Sequence, residues 1–170
     1  MNIRFLILGL AVALLLSACG FTPRGSLSST TDLGAIFVDA PREVPIAALL
    51  RQEILNRNLN LTENRDQANV LIRLTQESQS QRILSVQSTG RVSEYELRHS
   101  VNLLVAQGEN KGIARYNPDQ KANTVTVQRE YTYDDTGVLG KEDEASILRK
   151  EMREELARHL MLRVVATTRL

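Results

Sequence analysis

The 170-residue sequence is poor in several residue types on which common functional sites depend. It contains one cysteine, which excludes an internal disulfide, and two histidines, too few for a usual zinc site without carboxylates. Tryptophan is absent and aromatic residues make up only 4%, so few side chains can stack on bases or sugars. The 21 basic and 20 acidic residues nearly cancel, which argues against a nucleic-acid-binding surface spread over the chain.

Motifs of common catalytic sites are also missing. The sequence has no G-x-S-x-G elbow, no G-x-x-x-x-G-K-[ST] phosphate loop and no G-x-G-x-x-G fingerprint. His99 lies between Leu97 and Val101 on a predicted strand, and we expect a core or edge histidine with a hydrogen-bond partner. His159, near the apolar stripe of the last helix, has a similar interpretation. Residues 142–144 are acidic and fit a helix start better than a cation site. We therefore predict that the protein has no catalytic residue and no metal site, and that it is not an enzyme.

The first nineteen residues follow the order of a lipoprotein signal. A positive start containing Arg4 precedes the apolar run 5–16, which is too short to cross a membrane but suits a secretory signal. Residues 16–19 (Leu-Ser-Ala-Cys) look like a bacterial lipobox, so residues 1–18 are predicted to be a cleaved signal peptide. The alternative is that Cys19 is an ordinary residue near an ordinary cleavage site.

A lipobox gives the single cysteine a specific role. The Cys19 thiol would become a thioether carrying diacylglycerol, and its amine would carry a further acyl chain such as palmitate; no other cofactor is expected. More than one acyl chain gives stable anchoring. Gly20 follows instead of the aspartate linked to inner-membrane retention, which favours the outer membrane, facing the periplasm. Removal of Arg4 with the signal leaves 21 − 1 = 20 basic and 20 acidic residues, so any anion site must be local.

The mature sequence predicts a lipidated tether over 19–33 and a single domain over 34–170. Hydrophobic alternation and helical spacing each mark several segments of that domain. Strands are predicted at 35–38, 68–75 with a continuation at 83–86, 93–107 and 124–133, and helices at about 45–58 and from about 142 onward. The predicted fold is α/β of the α+β type. It is a two-layer sandwich with two helices on one face of a mostly antiparallel or mixed sheet of about four strands, whose other face is polar.

Several short motifs, in order, resemble one known family. Residues 19–25 (CGFTPRG) look like the C-G-F-x-[LP]-R-G opening of mature LptE-family lipoproteins. The similarity continues at 93–97 (SEYEL), at Val101-Asn102 on the same strand, and at 150–152 (KEM) in the last helix. The resemblance covers essentially the whole mature chain, and it implies that family's two-layer fold and its role in lipopolysaccharide assembly.

The resemblance also implies partners and binding residues. LptE proteins plug the lumen of the outer-membrane barrel LptD as its heterodimer partner, help it to assemble, and bind lipopolysaccharide on its way to the outer leaflet. Lys141 matches a family loop lysine by its offset from 150–152, whereas Arg91 is displaced from the family arginine; Arg82 is a further candidate. A different outer-membrane lipoprotein, acting as a periplasmic ligand-binding or envelope-scaffold module, is the alternative.

Overall fold

Five strands and two helices form the part of the chain that the computed structural model describes, residues 33–109, 112–133 and 138–168. In the last of these segments, side chains are described from Asp143 onward. The elements are β1 (Ala35–Asp39), α1 (Ile46–Asn56), β2 (Asn60–Leu61), a 3-10 turn (Arg65–Gln67), β3 (Val70–Val86), β4 (Val92–Gln107), β5 (Asn123–Thr132) and α2 (Val138–Thr167).

The strands form one mixed sheet in the order β2-β1-β3-β4-β5. β1 runs parallel to both β2 and β3, while β3, β4 and β5 are antiparallel. The predicted fold class is confirmed, with five strands in place of about four. The missed strand, β2, has only two residues, and no alternation can be read from so short a segment. β1 pairs with β3 only from Val70 to Arg73, so it flanks just the start of that strand.

Both helices pack on the same face of the sheet. One buried cluster joins Leu50 and Ile54 of α1, Leu156 and Leu160 of α2, and Ile72 of β3. Alternate residues of the sheet belong to the same cluster: Ile36, Val38, Val70, Leu74, Leu97, Val101, Leu103, Val105, Val125, Val127 and Tyr131. This period of two confirms the predicted arrangement of one core face per strand.

The outer face of the sheet, turned away from the helices, is not polar throughout. Leu71 and Ala106 point outward near the start of the β3–β4 hairpin and are buried with Ala68 and Ala114. The β4–β5 connection lies over them, because the Ala114 N–H donates to the Ala68 carbonyl at 2.9 Å. The expectation of a fully polar outer face is therefore wrong near the start of the hairpin, where the β4–β5 connection buries a small satellite apolar cluster.

β3 is one continuous strand of 17 residues, although its apolar pattern breaks after Thr75. The pairing register with β4 shifts between Thr75 and Ser78, and Gln76 takes a left-handed φ of 54°. This bulge changes which side chains face the helices. Beyond it, Gln79 and Gln81 pair with the inward-facing His99 and Leu97, so polar side chains occupy helix-facing positions.

α2 begins earlier than its acidic residues suggest. It starts at Val138 and runs for 30 residues, whereas the prediction was a start near residue 142. The acidic trio 142–144 therefore lies in the second turn, beyond the helix end where the dipole acts most strongly. The predicted stripe is confirmed at Ala145, Met152, Leu156, Leu160 and Val164, which are all buried.

Candidate functional site

Two of the three predicted cations are side chains of the β3–β4 hairpin, towards its turn. Arg82 lies on the outer face of β3, and Arg91 is exposed in the turn that closes the hairpin, where its carbonyl accepts from the Gln87 N–H at 2.7 Å. Lys141 lies in the first turn of α2 and not in a loop before it, which corrects the predicted placement. Its side chain lies outside the described residues. The structure thus places Arg82 and Lys141 on opposite sides of the sheet.

Arg82 is committed to a partner on the outer face. Its Nε and Nη2 donate to the two carboxylate oxygens of Glu96 at 2.8 and 3.1 Å, and Arg98 Nε lies 4.0 Å from the same carboxylate. Glu96 is only 6% exposed beneath these groups. The Arg82 hydrogen bond, with its charge, lowers the pKa of Glu96, and the same contact raises the pKa of Arg82. The charge of Arg82 is therefore balanced by Glu96, which makes Arg82 a weaker ligand for a phosphate.

Polar side chains cover the outer face across three strands. The register aligns Arg82 with Glu96 and Glu130, and the next row aligns Ser80 with Arg98 and Gln128. Further rows contain Ser78, Ser100 and Thr126, and then Thr75, Asn102 and Thr124. The two rows nearest the turn contain charges of both signs, and the other two contain only hydroxyls and an amide. This outer polar face therefore suits contact with a polar surface more than capture of an anion.

Three tyrosines gather on the helix side near the hairpin turn. The Tyr95 ring stacks on Tyr131 with centroids 5.6 Å apart and meets Tyr133 edge-on at 5.4 Å. Burial raises the pKa of Tyr131 above its ordinary value. The Tyr131 hydroxyl accepts from Gln81 Nε2 at 3.1 Å, and Gln81 Oε1 accepts from Arg149 Nη2 at 2.8 Å. A cation from α2 is thereby held beside aromatic surface.

A pocket of about 200 Å³ opens between β3, β4 and α2. We call it the helix-side pocket; its lining residues are Gln79, Ser80, Gln81, Leu97, Arg98, His99, Arg149 and Met152. Leu97 and Met152, each 2% exposed, form its apolar floor, while the two glutamines and Arg149 supply hydrogen-bond donors. Sequence reasoning missed this pocket and Arg149, because no periodic signal shows that the bulge turns glutamines towards the helices.

A buried Glu–His pair borders this pocket. His99 Nε2 lies 2.8 Å from Glu77 Oε1, and the two side chains are 3% and 4% exposed. Glu77 Oε2 also accepts from the Ile46 N–H at 2.9 Å, which satisfies a donor at the start of α1. The prediction of a partnered structural histidine at His99 is confirmed. His159 is 45% exposed and lies 3.7 Å from Glu155, so it is an edge histidine and not a core one.

Neither a metal centre nor a membrane-spanning helix is found in the described segments. They contain no group of three or more histidine, cysteine, aspartate or glutamate side chains placed to hold a metal ion. Within the same segments, neither helix has the length and apolar character needed to cross a membrane. Cys19, the predicted signal peptide and most of the tether lie outside the described residues, so the anchor stays a prediction.

The fold and these surfaces define a small two-layer α+β module with a polar outer sheet face and a cation beside tyrosines near its hairpin turn. The LptE family model, described as lipopolysaccharide-assembly, matches residues 33–164. The chain belongs to the LptE family, which confirms the resemblance read from its motifs. That family's description denotes an assembly role and not a chemical reaction.

Individual relatives agree with this membership. LPS-assembly lipoprotein LptE of Yersinia pestis (strain Pestoides F) is 32% identical over 162 residues, covering 94% of this chain and 74% of the relative. LptE of Yersinia pseudotuberculosis serotype O:1b gives the same values. The crystal structure of rare lipoprotein B from Shewanella oneidensis is 25% identical, with a TM-score of 0.64 over 79% of this chain and 96% of that one. The solution structure of an uncharacterized lipoprotein B from Nitrosomonas europaea shares the fold. It is 22% identical, with a TM-score of 0.65 over 79% of this chain and 83% of that one.

Proposed function

We propose that this chain is an outer-membrane lipoprotein that plugs the LptD β-barrel, helps it to assemble and binds lipopolysaccharide during transport to the outer leaflet. Acyl chains on Cys19 would anchor it on the periplasmic side, with the folded domain inside the barrel lumen. Family membership supports the assembly role. Among the structural features, the outer polar face carries the proposal of a plug.

The outer polar face matches what a barrel lumen presents. The interior of a large outer-membrane barrel is polar, so a plug needs hydrogen-bonding groups and balanced charges in place of an exposed apolar patch. Arg82, Arg98, Glu96 and Glu130 balance one another across three strands, with serine, threonine and glutamine between them. Such a face can exchange water for lumen side chains without burying an unpaired charge.

Lipopolysaccharide carries phosphates and acyl chains, so its site needs cations next to apolar surface. Arg149 beside the tyrosine cluster has that combination. Lys141 lies two turns earlier in α2, where N-terminal amides add a favourable field for anions. We keep Lys141, Arg91 and Arg82 as proposed ligands in that order, because Arg82 is already paired with Glu96.

Co-purification tests the plug. Detergent-solubilised wild-type protein should recover a very large β-barrel in about equal amounts. Ser100→Trp, in the middle of the outer polar face, should lower that recovery about tenfold, as steric damage at the centre of an interface does. Ser146→Trp, at an exposed position on α2, is the matched control and should leave the recovery of the barrel unchanged. Equal recovery with both variants would show that the outer face does not contact the barrel.

The anchor has a separate test. Cys19→Ala should accumulate as precursor or as soluble protein, because no diacylglycerol can be attached. Metabolic labelling with palmitate should mark the wild-type chain and leave the variant unlabelled. Normal membrane retention of a wild-type chain that takes up no label would contradict the lipobox interpretation.

A second candidate is a periplasm-facing outer-membrane lipoprotein that binds a ligand or acts as an envelope scaffold. The helix-side pocket of about 200 Å³ favours it, since it combines donors with apolar surface. The same co-purification separates the two functions. Recovery of soluble periplasmic partners alone, with no barrel, would favour the second candidate.

A further inference from the structure

One edge of β3 has no neighbouring strand over about half its length. On the side where β1 lies, pairing covers only Val70 to Arg73, and no described strand pairs with Ser78–Val86 there. Every residue from 78 to 84 is exposed. Because β4 satisfies backbone groups on one side only, about half of these residues present N–H and C=O groups outward. We call Ser78–Val86 on this side the open edge.

Most of the open edge, residues 78–83, lacks the features that usually discourage pairing. Residues 78–81 are Ser-Gln-Ser-Gln, without charge or proline, and the charge of Arg82 is tied to Glu96 on the outer face. Ile83 and Val86 are 54% and 59% exposed. Proteins commonly protect a free edge with lysine, proline, a very short strand or a bulge. Residues 78–83 have none of these, and the register shifts of β3 in this part lie only between Ile83 and Val86, next to the turn.

The helix-side pocket lies directly beside the open edge. Gln79 and Gln81 belong to both, while Met152 and Arg149 of α2 form the opposite wall. A strand next to a helix with a pocket between them is the geometry in which peptides bind by strand addition. Main-chain hydrogen bonds then give affinity, and pockets for alternate side chains give specificity.

We propose that the open edge binds an extended segment of a partner protein as a sixth strand of the sheet. Alternate side chains of that segment face the helices, with an apolar one against Leu97 and Met152 and a carboxylate at Arg149. The outward-facing side chains continue the outer polar face. This proposal does not depend on a barrel as the partner.

The outline of the sheet favours a single segment over a second copy of this chain. β1 lies in line with the open edge and closes one end of the space, which leaves about nine residues, or roughly 30 Å of extended chain. A second copy that paired antiparallel along the whole open edge would be centred on Arg82. Its turn, residues 87–91, would then lie against residues 73–77 of the first copy. It would meet β1 there, because Asp39 already pairs with Arg73.

A defined peptide tests the proposal without a natural partner. The probe is a fluorescent nine-residue peptide alternating valine and threonine, with glutamate replacing the central valine. We expect saturable binding to the full mature chain by anisotropy. A control peptide with alternate backbone amides N-methylated should bind at least about tenfold more weakly, since it has lost the main-chain donors. Absence of binding up to about 1 mM, or equal binding of both peptides, would overturn the proposal.

Charge reversal tests the register of the segment. Arg149→Glu should weaken binding of the glutamate peptide and favour a peptide with lysine at the same position. Lys150→Glu, at the adjacent exposed residue outside the pocket, is the matched control and should leave both affinities unchanged. An identical response in the two variants would exclude Arg149 as the contact.

Hydrogen exchange locates the bound peptide. Amides within residues 78–86 should be protected on binding, and those at the outer edge of β5 should not. Protection at β5 alone would place the peptide elsewhere and overturn the proposal. Sedimentation of the free chain as a dimer that the peptide dissociates would instead identify a second copy as the occupant.

Discussion

The first part of the β3–β4 hairpin and its far part use the same two strands but differ in what covers them. In the first part, Val70–Thr75 with Asn102–Gln107, the inward residues Val70, Ile72 and Leu74 are fully buried. β1 flanks this part, and residues 112–116 lie over its outer face. The far part, Ser78–Val86 with Val92–Ser100, has an open edge and an outer face that no described segment covers.

Because of this difference, the first part of the hairpin contributes mainly to stability and the far part is available for binding. Burial on both faces stabilises the first part and leaves it few groups for a partner. The far part keeps β4 inward residues in the core but exposes nearly all of β3, so its polar and backbone groups can exchange water for a partner at little cost. The bulge at Gln76 lies at the boundary between the two parts.

The largest contrast should come from two isoleucines on the inward face of the same strand. Ile72 is 0% exposed in the first part, whereas Ile83 is 54% exposed in the far part. Ile72→Ala should lower the free energy of unfolding by about 2 to 5 kcal/mol, since it removes buried methylenes and leaves a cavity. Ile83→Ala should change it by no more than about 0.5 kcal/mol. Urea denaturation of both variants measures this, and similar losses would contradict the division of the hairpin.

Glu77 lies between the two parts and ties the start of the far part to the helix layer through its bonds to His99 and to the Ile46 N–H of α1. Glu77→Ala should cost about 3 kcal/mol, because it leaves a buried imidazole and a helix-end donor without their acceptor. Gln79→Ala is the control. This exposed side chain lies 3.5 Å from His99 Nε2 but does not reach the Ile46 N–H, so its loss should cost much less. Thermal and urea unfolding give the values. A loss no larger than that of Gln79→Ala would show that the carboxylate does not stabilise the boundary.

Sequence reasoning recovered the parts of this fold that depend on periodicity. Strict alternation predicted β4 and β5 to within one residue, and the helical stripe predicted most of the buried residues of α2 between Ala145 and Val164 but not Ala157 or Met161. The start of α2 was wrong because the acidic trio 142–144 was taken as a helix-end signal, although the helix extends a further turn before it. A preference for acidic residues near a helix start is too weak to fix a boundary.

The far part was harder to predict, since its features arise from tertiary structure. Nothing in residues 76–81 indicates that a left-handed Gln76 restores the strand beyond it and turns Glu77 inward. The helix-side pocket needs β3, β4 and α2 together. Family resemblance supplied Arg91 and Lys141 as proposed ligands, but it could not show that Arg82 would be paired with Glu96.

A smaller effect should separate two lysines of α2 in lipopolysaccharide binding. Lys141→Glu, in the first turn, should weaken binding to immobilised lipopolysaccharide by up to about tenfold, because it places a negative charge where phosphates are expected. Lys150→Glu is exposed and more than two turns further along, and it should change binding little. Both variants should unfold like the wild type. Equal binding by Lys141→Glu and the wild type would remove Lys141 from the site.

The smallest effect concerns Tyr116, which lies over the first part of the hairpin. The guanidinium carbons of Arg73 and Arg65 lie over its ring, 4.2 and 5.7 Å from the centroid. Its buried hydroxyl has no hydrogen-bond partner among the described residues. Burial raises the pKa of Tyr116 to about 12. The folded state therefore holds this proton more tightly than the unfolded state, so its contribution to stability is present below about pH 10 and is lost as the pH rises towards 12.

Tyr116→Phe should keep the cation–π contacts and remove both the unpaired hydroxyl and its alkaline titration. Stability at neutral pH should rise slightly, by at most about 1 kcal/mol, because an unsatisfied buried group is deleted. Between pH 10 and 12 the variant should lose less stability than the wild type, as urea denaturation across this range would measure. Tyr95→Phe, in the tyrosine cluster of the far part, gives the background effect of removing a hydroxyl. If Tyr116→Phe were less stable than the wild type at neutral pH, the hydroxyl would have a hydrogen-bond partner. The first part of the hairpin would then also be held to its covering segment, residues 112–116, by a polar contact.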